Sequence, residues 1–413
     1  MIKRLAYFLI ILLMGCETVD SYTSEETYIK FYGTEGEEIG RDLLVQDDGM
    51  LLLGTTSSSS YLTSILLIKT DLAGNEMWSL ELVEDSTQTF IIDDAVGLLQ
   101  TSDNEIVVLG NRAVDGERYG VLFTINLETP SITLFQEVRA ETKDVNQAVF
   151  NDIEKITEGG FIIIGEVRNF ENPSVPNSDW DVISIKYDES AGRQLERING
   201  FQDNLDDYGA SVVEGEDGNF YLFGSVTINK VNDQGATVPV SDIRTVRVNS
   251  FLVPVWDKYY GTAKNEIGNE ITTYNSDRYV MGSQENSENN MDIIISKLDQ
   301  DGDPTLFQTI GEEGIDQGYH MEIHPSGIYI TGKTNSGRAD FNIFIMKISF
   351  QGELIWTKKF GFEGDDEGRK INILDDGSIL VVGSAVFGNS RKICLLKTDS
   401  DGNLSKIPTN TEN

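Results

Sequence analysis

One pattern of residues recurs seven times along this chain of 413 residues. Each copy has an acidic residue, a short apolar run, a tight polar turn, a second apolar run that ends in Gly, and a third apolar run that usually carries Lys. The closing glycines are spaced 50 to 59 residues apart, at Gly54, Gly110, Gly165, Gly224, Gly282, Gly332 and Gly383. A repeat of this length indicates one supersecondary unit that stacks on copies of itself.

The turn ahead of each closing glycine predicts a β-hairpin. Pairs such as Asp48-Gly49 and Asp217-Gly218 accept the positive φ of two-residue hairpin turns. The third run, such as residues 64–69, has the composition of a buried strand. A second turn and a fourth strand follow, and the fourth strand often carries an aromatic residue such as Trp78. Each unit is therefore predicted to be a sheet of four antiparallel strands.

Four-stranded units without helical periodicity are compatible with few architectures, because an isolated sheet cannot bury both of its faces. We predict an all-β chain that forms a seven-bladed β-propeller of four-stranded antiparallel blades. The last unit stops near Leu404 without a fourth strand, while residues 27–33 precede the first unit and match residues 356–361. An N-terminal strand is therefore expected to complete the last blade and close the ring.

The repeat also resembles a known family. Its form is acid-x-Gly, a hairpin, Gly, and then Lys-x-Asp-x-x-Gly-x-x-x-Trp, which is similar to the propeller-type repeats common in lipoproteins and secreted proteins of Gram-negative bacteria. The likeness covers residues 27 to about 405 and is specific for fold rather than function. We expect residues 27–405 to form one domain and residues 406–413 to form a flexible tail.

The N-terminus has the features of a lipoprotein signal. Lys3 and Arg4 precede the apolar run 5–14, and residues 13–16, Leu-Met-Gly-Cys, follow the lipobox pattern. The resemblance to bacterial lipoprotein precursors implies cleavage after residue 15 and acylation of Cys16. An ordinary cleaved signal with an incidental Cys is the alternative. Residues 16–26 are expected to be a polar tether, which predicts an extracytoplasmic protein anchored by Cys16, in the outer membrane of a Gram-negative bacterium.

The remaining cysteine limits the disulfides that the chain can form, and the net charge limits its binding partners. With Cys16 acylated, only Cys394 is left, so no intramolecular disulfide can form, and its apolar strand context predicts a core residue. The chain has 32 Lys and Arg against 68 Asp and Glu, a net charge of −36. Nucleic acid is therefore excluded as a partner, because its phosphates would be repelled. The domain is expected to be a monomer.

Six of the seven units place a carboxylate at the start of the first, innermost strand. These residues are Glu38, Asp93, Asp207, Glu266, Asp316 and Asp366, and the third unit has Ala148 at this position. In a ring they are expected to surround one mouth of the central channel. We favour a structural role, in which each carboxylate accepts backbone N–H bonds. No cofactor is assigned, and a Ca²⁺ ion held by converging carboxylates is the alternative.

No catalytic motif is present. The two histidines, His320 and His324, are four residues apart on a predicted strand and do not match a metal-binding helix motif. We therefore predict a binding or scaffold module for an unidentified protein or glycan, rather than an enzyme. The alternative is an extracytoplasmic polysaccharide hydrolase or lyase, which would gather polar and titratable side chains in a deep pocket.

Loop length indicates a binding surface. Units three and four have longer connections between their second and third strands, Glu166 to Trp180 and Ser225 to Ser241, on the same face as the acidic residues. An aromatic residue stiffened by Pro is suited to contact a sugar or a protein. The candidate binding residues are Phe170, Asp179, Trp180, Asn232 and Asp242. A purely structural role for Trp180, as a cap on its blade, is the alternative.

Overall fold

The computed structural model describes residues 27–405 except for 34–35, 60–61, 83–91, 142–146, 169–178, 201–204, 232–234, 288–289, 337 and 389. The predicted signal peptide, Cys16, the tether and the tail therefore lie outside the described residues, as do Phe170 and Asn232. In the described part of the chain, no helix is long and apolar enough to cross a membrane.

The described strands alternate regularly with tight turns. In chain order they are β1 (Tyr28–Tyr32), β2 (Glu37–Gln46), β3 (Gly49–Ser59), β4 (Leu62–Thr70), β5 (Glu76–Leu82), β6 (Ile92–Ser102), β7 (Glu105–Val114), β8 (Glu117–Asn126), β9 (Ser131–Val138), β10 (Ala148–Lys155), β11 (Phe161–Arg168), β12 (Trp180–Tyr187), β13 (Arg193–Asn199), β14 (Asp207–Glu214), β15 (Phe220–Val231), β16 (Thr237–Val248), β17 (Pro254–Tyr260), β18 (Glu266–Tyr274), β19 (Asp277–Ser287), β20 (Asn290–Leu298), β21 (Pro304–Ile310), β22 (Asp316–His324), β23 (Gly327–Thr334), β24 (Asn342–Ile348), β25 (Leu354–Phe360), β26 (Glu367–Ile373), β27 (Ile379–Phe387) and β28 (Ser390–Thr398).

These strands form seven antiparallel blades of four strands. Blades 1 to 6 are β2–β5, β6–β9, β10–β13, β14–β17, β18–β21 and β22–β25, and blade 7 is β26, β27, β28 and β1. The predicted seven-bladed propeller is therefore confirmed. The predicted closure is confirmed as well, because β1 pairs with β28 from Tyr28↔Lys397 to Tyr32↔Ile393.

The hydrophobic core consists of seven clusters, each between two neighbouring blades. In the cluster between blades 7 and 1, for example, Leu52 and Ile68 pack with Leu380 and Leu395. Along each strand, successive buried apolar residues face alternately the preceding and the following blade. Both faces of each blade are therefore covered by a neighbour. Cys394 is buried in the cluster between blades 6 and 7, where burial raises the pKa of its thiol.

Glycine lets the inner strand of one blade approach the second strand of the blade before it. A Cβ atom at Gly268 would lie 2.2 Å from the carbonyl oxygen of Gly224, and one at Gly40 would lie 2.2 Å from that of Gly383. The Gly268 N–H donates to Ser225 Oγ at 2.9 Å across the same junction. The glycines of the acid-x-Gly repeat therefore set the close packing of successive blades.

Candidate functional site

Every inner strand contains a one-residue bulge at the same height. The pairing register shifts directly after Gly40, Ala95, Phe150, Gly209, Gly268, Gly318 and Gly368. A bulge inserts one residue that opposes no partner and re-aims its side chain. The bulged residue and the residue after it therefore both reach the central channel, a cavity of about 940 Å³.

The bulged residues form one layer of the channel wall. They are Arg41, Val96, Asn151, Ala210, Asn269, Tyr319 and Arg369. Tyr319, Arg369 and Arg41 belong to blades 6, 7 and 1, so they are neighbours in the ring and form a basic and aromatic sector. The side chain of Asn151, on blade 3, donates to Glu166 Oε2 at 2.6 Å and to the Gly209 carbonyl at 2.8 Å.

Arg369 is held in place from two sides. Its Nη2 atom donates to Glu367 Oε2 at 2.8 Å, and its guanidinium carbon lies 4.0 Å from the centroid of the Tyr319 ring. A guanidinium stacked on an aromatic face is favoured by the ring quadrupole. The Tyr319 hydroxyl in turn donates to Gln317 Oε1 at 3.3 Å. This stack therefore presents a positioned cation to the channel.

Arg41 is half-buried beside Arg369 and makes no hydrogen bond or ion pair within the described residues. Burial and the neighbouring charge of Arg369 lower its pKa, against the attraction of Glu367 and Asp94. The Nε atoms of Arg41 and Arg369 are both buried without a hydrogen-bond partner. The same holds for the Nε atoms of Arg193, Arg247, Arg278 and Arg391. What distinguishes Arg41 and Arg369 is that both line the same cavity.

The residues after the bulges form a second layer, in which three of the seven residues are acidic. It contains Asp42, Gly97, Asp152, Ser211, Glu270, His320 and Lys370. Asp42 Oδ2 accepts from the Leu98 N–H at 2.8 Å, and Asp152 Oδ2 accepts from the Val212 N–H at 2.9 Å. Each bond joins an inner strand to the next blade, so these two carboxylates help to hold the ring together.

Lys370 is the cation of this acidic layer. Its Nζ atom lies 3.7 Å from Asp42 Oδ1. Burial opposes its charge, yet attraction to Asp42, Glu270, Asp152 and Glu154 raises its pKa above the usual value. One ammonium therefore balances several carboxylates.

Five carboxyl groups in or beside the channel hold their protons more tightly than usual, including Asp152, whose pKa is raised by burial. Burial and then repulsion by Asp152 raise the pKa of Glu154 to about 8. Burial, opposed by the hydrogen bond from Asn151, raises the pKa of Glu166 to about 8. The pKa of Glu270 is raised well above its usual value, and that of Glu322 is also raised, because both are buried. Much of the channel wall is therefore less negative at neutral pH than its composition indicates.

His320 is neutral, because burial and then the charge of Lys370 hold its pKa well below the usual value. Its Nδ1 atom accepts from the Ile371 N–H of blade 7 at 3.4 Å, so the proton is on Nε2, which lies 3.5 Å from Glu270 Oε1. Both ring nitrogens thus face partners in the wall. Within the described residues, no three His, Cys, Asp or Glu side chains are grouped as a metal site.

The six carboxylates predicted to surround the channel mouth are buried away from the cavity lining. They share a strand face with the glycine two residues later, and that face packs against the preceding blade, so alternation turns them away from the channel. Their hydrogen-bond partners include Lys392 for Glu38, Arg112 for Asp93, Arg244 for Asp207, Gln284 for Glu266, and the backbone N–H groups of Glu312 for Asp316 and of Phe362 and Val386 for Asp366. The mouth is instead lined by residues one position later, including Asp94, Tyr208, Ile267 and Gln317.

The predicted aromatic surface is described in part. Trp180 begins β12 opposite Arg168, is half-buried, and donates its backbone N–H to Asp206 Oδ1 at 3.1 Å. Asp179 directly precedes it and is also half-buried. Trp180 therefore lies at the junction of blades 3 and 4, on the face where the inner strands begin.

The connection of unit four differs from the predicted loop. Strands β15 and β16 continue into it and remain paired as far as Val231↔Thr237, so most of Ser225–Ser241 is an extended hairpin. Its alternating Val and Ile residues favour strand continuation. Asp242 is buried at the base of this hairpin, where it pairs with Lys230 at 2.6 Å. Burial raises its pKa, and Lys230 opposes that shift.

The channel residues were not predicted from the sequence. The signal that could have revealed them is the position four residues after the acidic residue of a unit, or after Ala148 in unit three. It holds Asp42, Asp152, Glu270, His320 and Lys370. These residues vary in charge from unit to unit, whereas the repeat is recognised by the positions that stay the same. The arginines at the preceding position carry the same kind of signal.

Comparison with known proteins places the chain by fold only. No protein-family model and no curated protein matches it. Among solved structures, the polysaccharide lyase Uly1 is 11% identical with a TM-score of 0.52, and the match covers 93% of this chain and 94% of that one. A puromycin hydrolase is 11% identical with a TM-score of 0.55, covering 90% of this chain and 55% of that one.

An acylaminoacyl peptidase from Pyrococcus horikoshii is similar at 11% identity with a TM-score of 0.48, and the match covers 88% of this chain and 52% of the peptidase. The chain thus spans about half the length of the peptidase and of the puromycin hydrolase. At this level of identity the likenesses to the polysaccharide lyase and to the puromycin hydrolase show the fold alone.

Proposed function

We propose that this protein is an extracytoplasmic binding module that takes a glycan at the mouth of its channel, on the face where the inner strands begin. The observation that carries this proposal is the combination of a deep cavity with Tyr208, Tyr319 and several side-chain amides at its mouth. A concave site with a few placed polar groups suits a small or extended ligand. A flat protein partner would need a broad surface instead.

Tyr208 offers the direct test, because it lies at the mouth and is 40% exposed. The protein is made with Cys16→Ser, so that it is purified without lipid, and is screened on a glycan array. Tyr208→Ala is expected to weaken binding of the selected glycan at least about tenfold, as for a contact aromatic. Tyr259 is the matched control, since it is 45% exposed on the outer strand β17 of the same blade. Equal losses in both variants, or none in Tyr208→Ala, would refute the channel mouth as the binding surface.

The anchor is a second part of the proposal. Cys16 follows the lipobox pattern, and the multiple acyl chains of a lipoprotein hold a membrane stably where one chain does not. Expressed with its complete signal in a Gram-negative host, the wild-type chain is expected in the outer-membrane fraction. Cys16→Ser is expected in the soluble extracytoplasmic fraction. Membrane retention of this variant would mean that a protein partner, rather than lipid, holds it.

A polysaccharide lyase is the second candidate function. The channel gathers titratable side chains in a deep pocket, as expected of an enzyme, and Tyr319 lies beside Arg369 in its wall. In β-elimination, a base removes the proton next to a uronate carboxylate, a carbon–carbon double bond forms as the neighbouring C–O bond breaks, and the departing oxygen takes up a proton. Tyr319 is the candidate proton-transfer group. Whole-chain likeness to a polysaccharide lyase supports this candidate without deciding it.

Product analysis separates the two functions. Lyase activity would release unsaturated uronate ends, which absorb in the ultraviolet, from an acidic polysaccharide. Tyr319→Phe would then abolish this release while binding persisted. A wild-type protein that binds its glycan and releases no product would support the binding function and refute the lyase.

A further inference from the structure

Resting on the binding function proposed above, we infer that Arg41 and Arg369 form a site for a singly charged oxyanion carried by a sugar, as in a uronate or a sulfate ester. The two guanidinium groups come from adjacent inner strands, at the same bulge position of blades 7 and 1. They face one cavity that a ligand can enter. The ligand class expected at the channel mouth is therefore an acidic sugar.

The first argument is the state of the arginine donors. Arg41 makes no hydrogen bond or ion pair within the described part of the chain, and the Nε atoms of both arginines are buried without an acceptor. A chain with a net charge of −36 has many carboxylates that could have filled this position. An oxyanion between the two guanidinium groups would supply an acceptor for the Nη groups of Arg41, which have none among the described residues and, unlike Nε, are not enclosed by the protein.

The second argument is local charge. Arg41 and Arg369 repel each other, because the charge of Arg369 lowers the pKa of Arg41. Glu367 pairs with Arg369 at 2.8 Å and offsets one of the two charges. Arg41, Arg369 and Glu367 together then carry one positive charge, which a single oxyanion would neutralise. Asp94, at the mouth, is exposed to solvent that screens its charge.

The third argument is preorganisation. The ion pair with Glu367 and the stack on Tyr319 fix the Arg369 guanidinium before a ligand arrives. Planar guanidinium groups bind carboxylates and sulfates through paired N–H donors, which adds geometric specificity to the attraction. The carboxyl groups deeper in the channel oppose an anion less than their number indicates, since the pKa of Glu154 is about 8 and that of Glu270 is raised well above its usual value. The mouth can therefore accept a negative charge above an acidic layer.

The test compares charged and neutralised forms of the same glycan. Oligogalacturonate and oligomannuronate are measured against their carboxyl-reduced forms, and a sulfated galactan oligosaccharide is measured against its desulfated form, by calorimetry. The wild-type protein is expected to bind at least one charged form at least tenfold more tightly than its neutral counterpart. Arg41→Gln is expected to abolish that preference, and Arg41→Lys to restore it in part. Lys258→Gln is the control, because Lys258 is an exposed cation paired with Asp303 on an outer strand.

Arginine side-chain NMR makes the result independent of glycan length. Titration with free glucuronate or with glucose 6-sulfate is followed at the Nε–H signals, assigned from the Arg41→Gln and Arg369→Lys spectra. Saturable shifts at both Nε–H groups would support the oxyanion site even if no oligosaccharide bound. The absence of any oligosaccharide binding in that case would refute the glycan-binding function. Equal affinity for charged and neutral glycans, with unshifted Nε–H signals, would overturn the oxyanion site and leave glycan binding standing. Unshifted signals without binding of any glycan would overturn both.

Discussion

Arg112 and Asp93 face each other across β6 and β7 in a buried, bidentate ion pair, with Nε–Oδ1 and Nη2–Oδ2 distances of 2.8 Å. Unit three has Ala148 opposite Val167 at the same two positions, and both are buried. The fold therefore accepts either a charged or an apolar pair at this place. One charged residue of the pair without the other is expected to destabilise the fold.

This relationship predicts a double-mutant result. Arg112→Val alone is expected to destabilise the protein by about 3–5 kcal/mol, because it leaves the Asp93 carboxylate buried without its cation. The double variant Asp93→Ala/Arg112→Val reproduces the pair of unit three and is expected to recover most of that loss. Urea unfolding of the three proteins measures the effect. A double variant as unstable as Arg112→Val would show that the repeat positions are not equivalent.

The closing strand predicts a truncation result. Beyond its ladder with β28, strand β1 contacts blade 1, where the Tyr32 hydroxyl donates to the Gly74 carbonyl at 2.7 Å and Lys30 Nζ donates to Asn75 Oδ1 at 2.6 Å. Deletion of residues 17–33 is expected to lower the melting temperature by many degrees, because it opens the ring and exposes β28. Deletion of residues 17–26 alone keeps β1 and serves as the control. Equal melting temperatures for the two truncations would contradict the closure.

The raised pKa of Glu154 predicts a pH dependence of stability. Its pKa is about 8 in the folded protein and close to 4.5 when unfolded, so the folded state binds the proton more tightly. The resulting stability is fully present below about pH 4.5 and is lost as the pH rises through about 8. Glu154→Gln, which resembles the protonated form, is expected to flatten the melting temperature between these values. Glu81→Gln, on the exposed side of β5, is the control. A slope that Glu154→Gln leaves unchanged would assign the dependence to other groups.

The junction of blades 3 and 4 predicts a binding result. Trp180 is half-buried on the face where the inner strands begin, and Phe170 precedes it in the same connection. Trp180→Ala and Phe170→Ala together are expected to weaken binding of the selected glycan at least about tenfold, with an unchanged melting temperature. Phe307→Ala is the control, since Phe307 is 41% exposed on the outer strand β21. Affinity that neither aromatic change alters would move the candidate surface away from this junction.

The sequence predicts the fold well because the repeat preserves the features that build a blade. The turn at Asp217-Gly218 and the paired Gly209↔Gly224 are visible as residue types at constant spacing. The channel is harder to predict, since its lining depends on a one-residue bulge that changes which side chains face the axis. Without that bulge, Asp42 would share the strand face of Glu38 and Gly40 and would be assigned to the surface that packs against the preceding blade. The extended hairpin after Ser225 is not predicted either, because a connection of this length is equally compatible with a loop.

The two ends of the described chain lie side by side, with the Ser405 N–H donating to Thr27 Oγ1 at 2.6 Å. Closure of the ring therefore does not depend on which blade comes first in the chain. A short linker between residues 27 and 405, with new termini opened at the exposed turn of Gly116, would give a circular permutant with the same blades and a different closing strand. An anchor fused to the new N-terminus of such a permutant, at blade 2, would change the direction in which the channel mouth faces from a surface while leaving the channel itself intact.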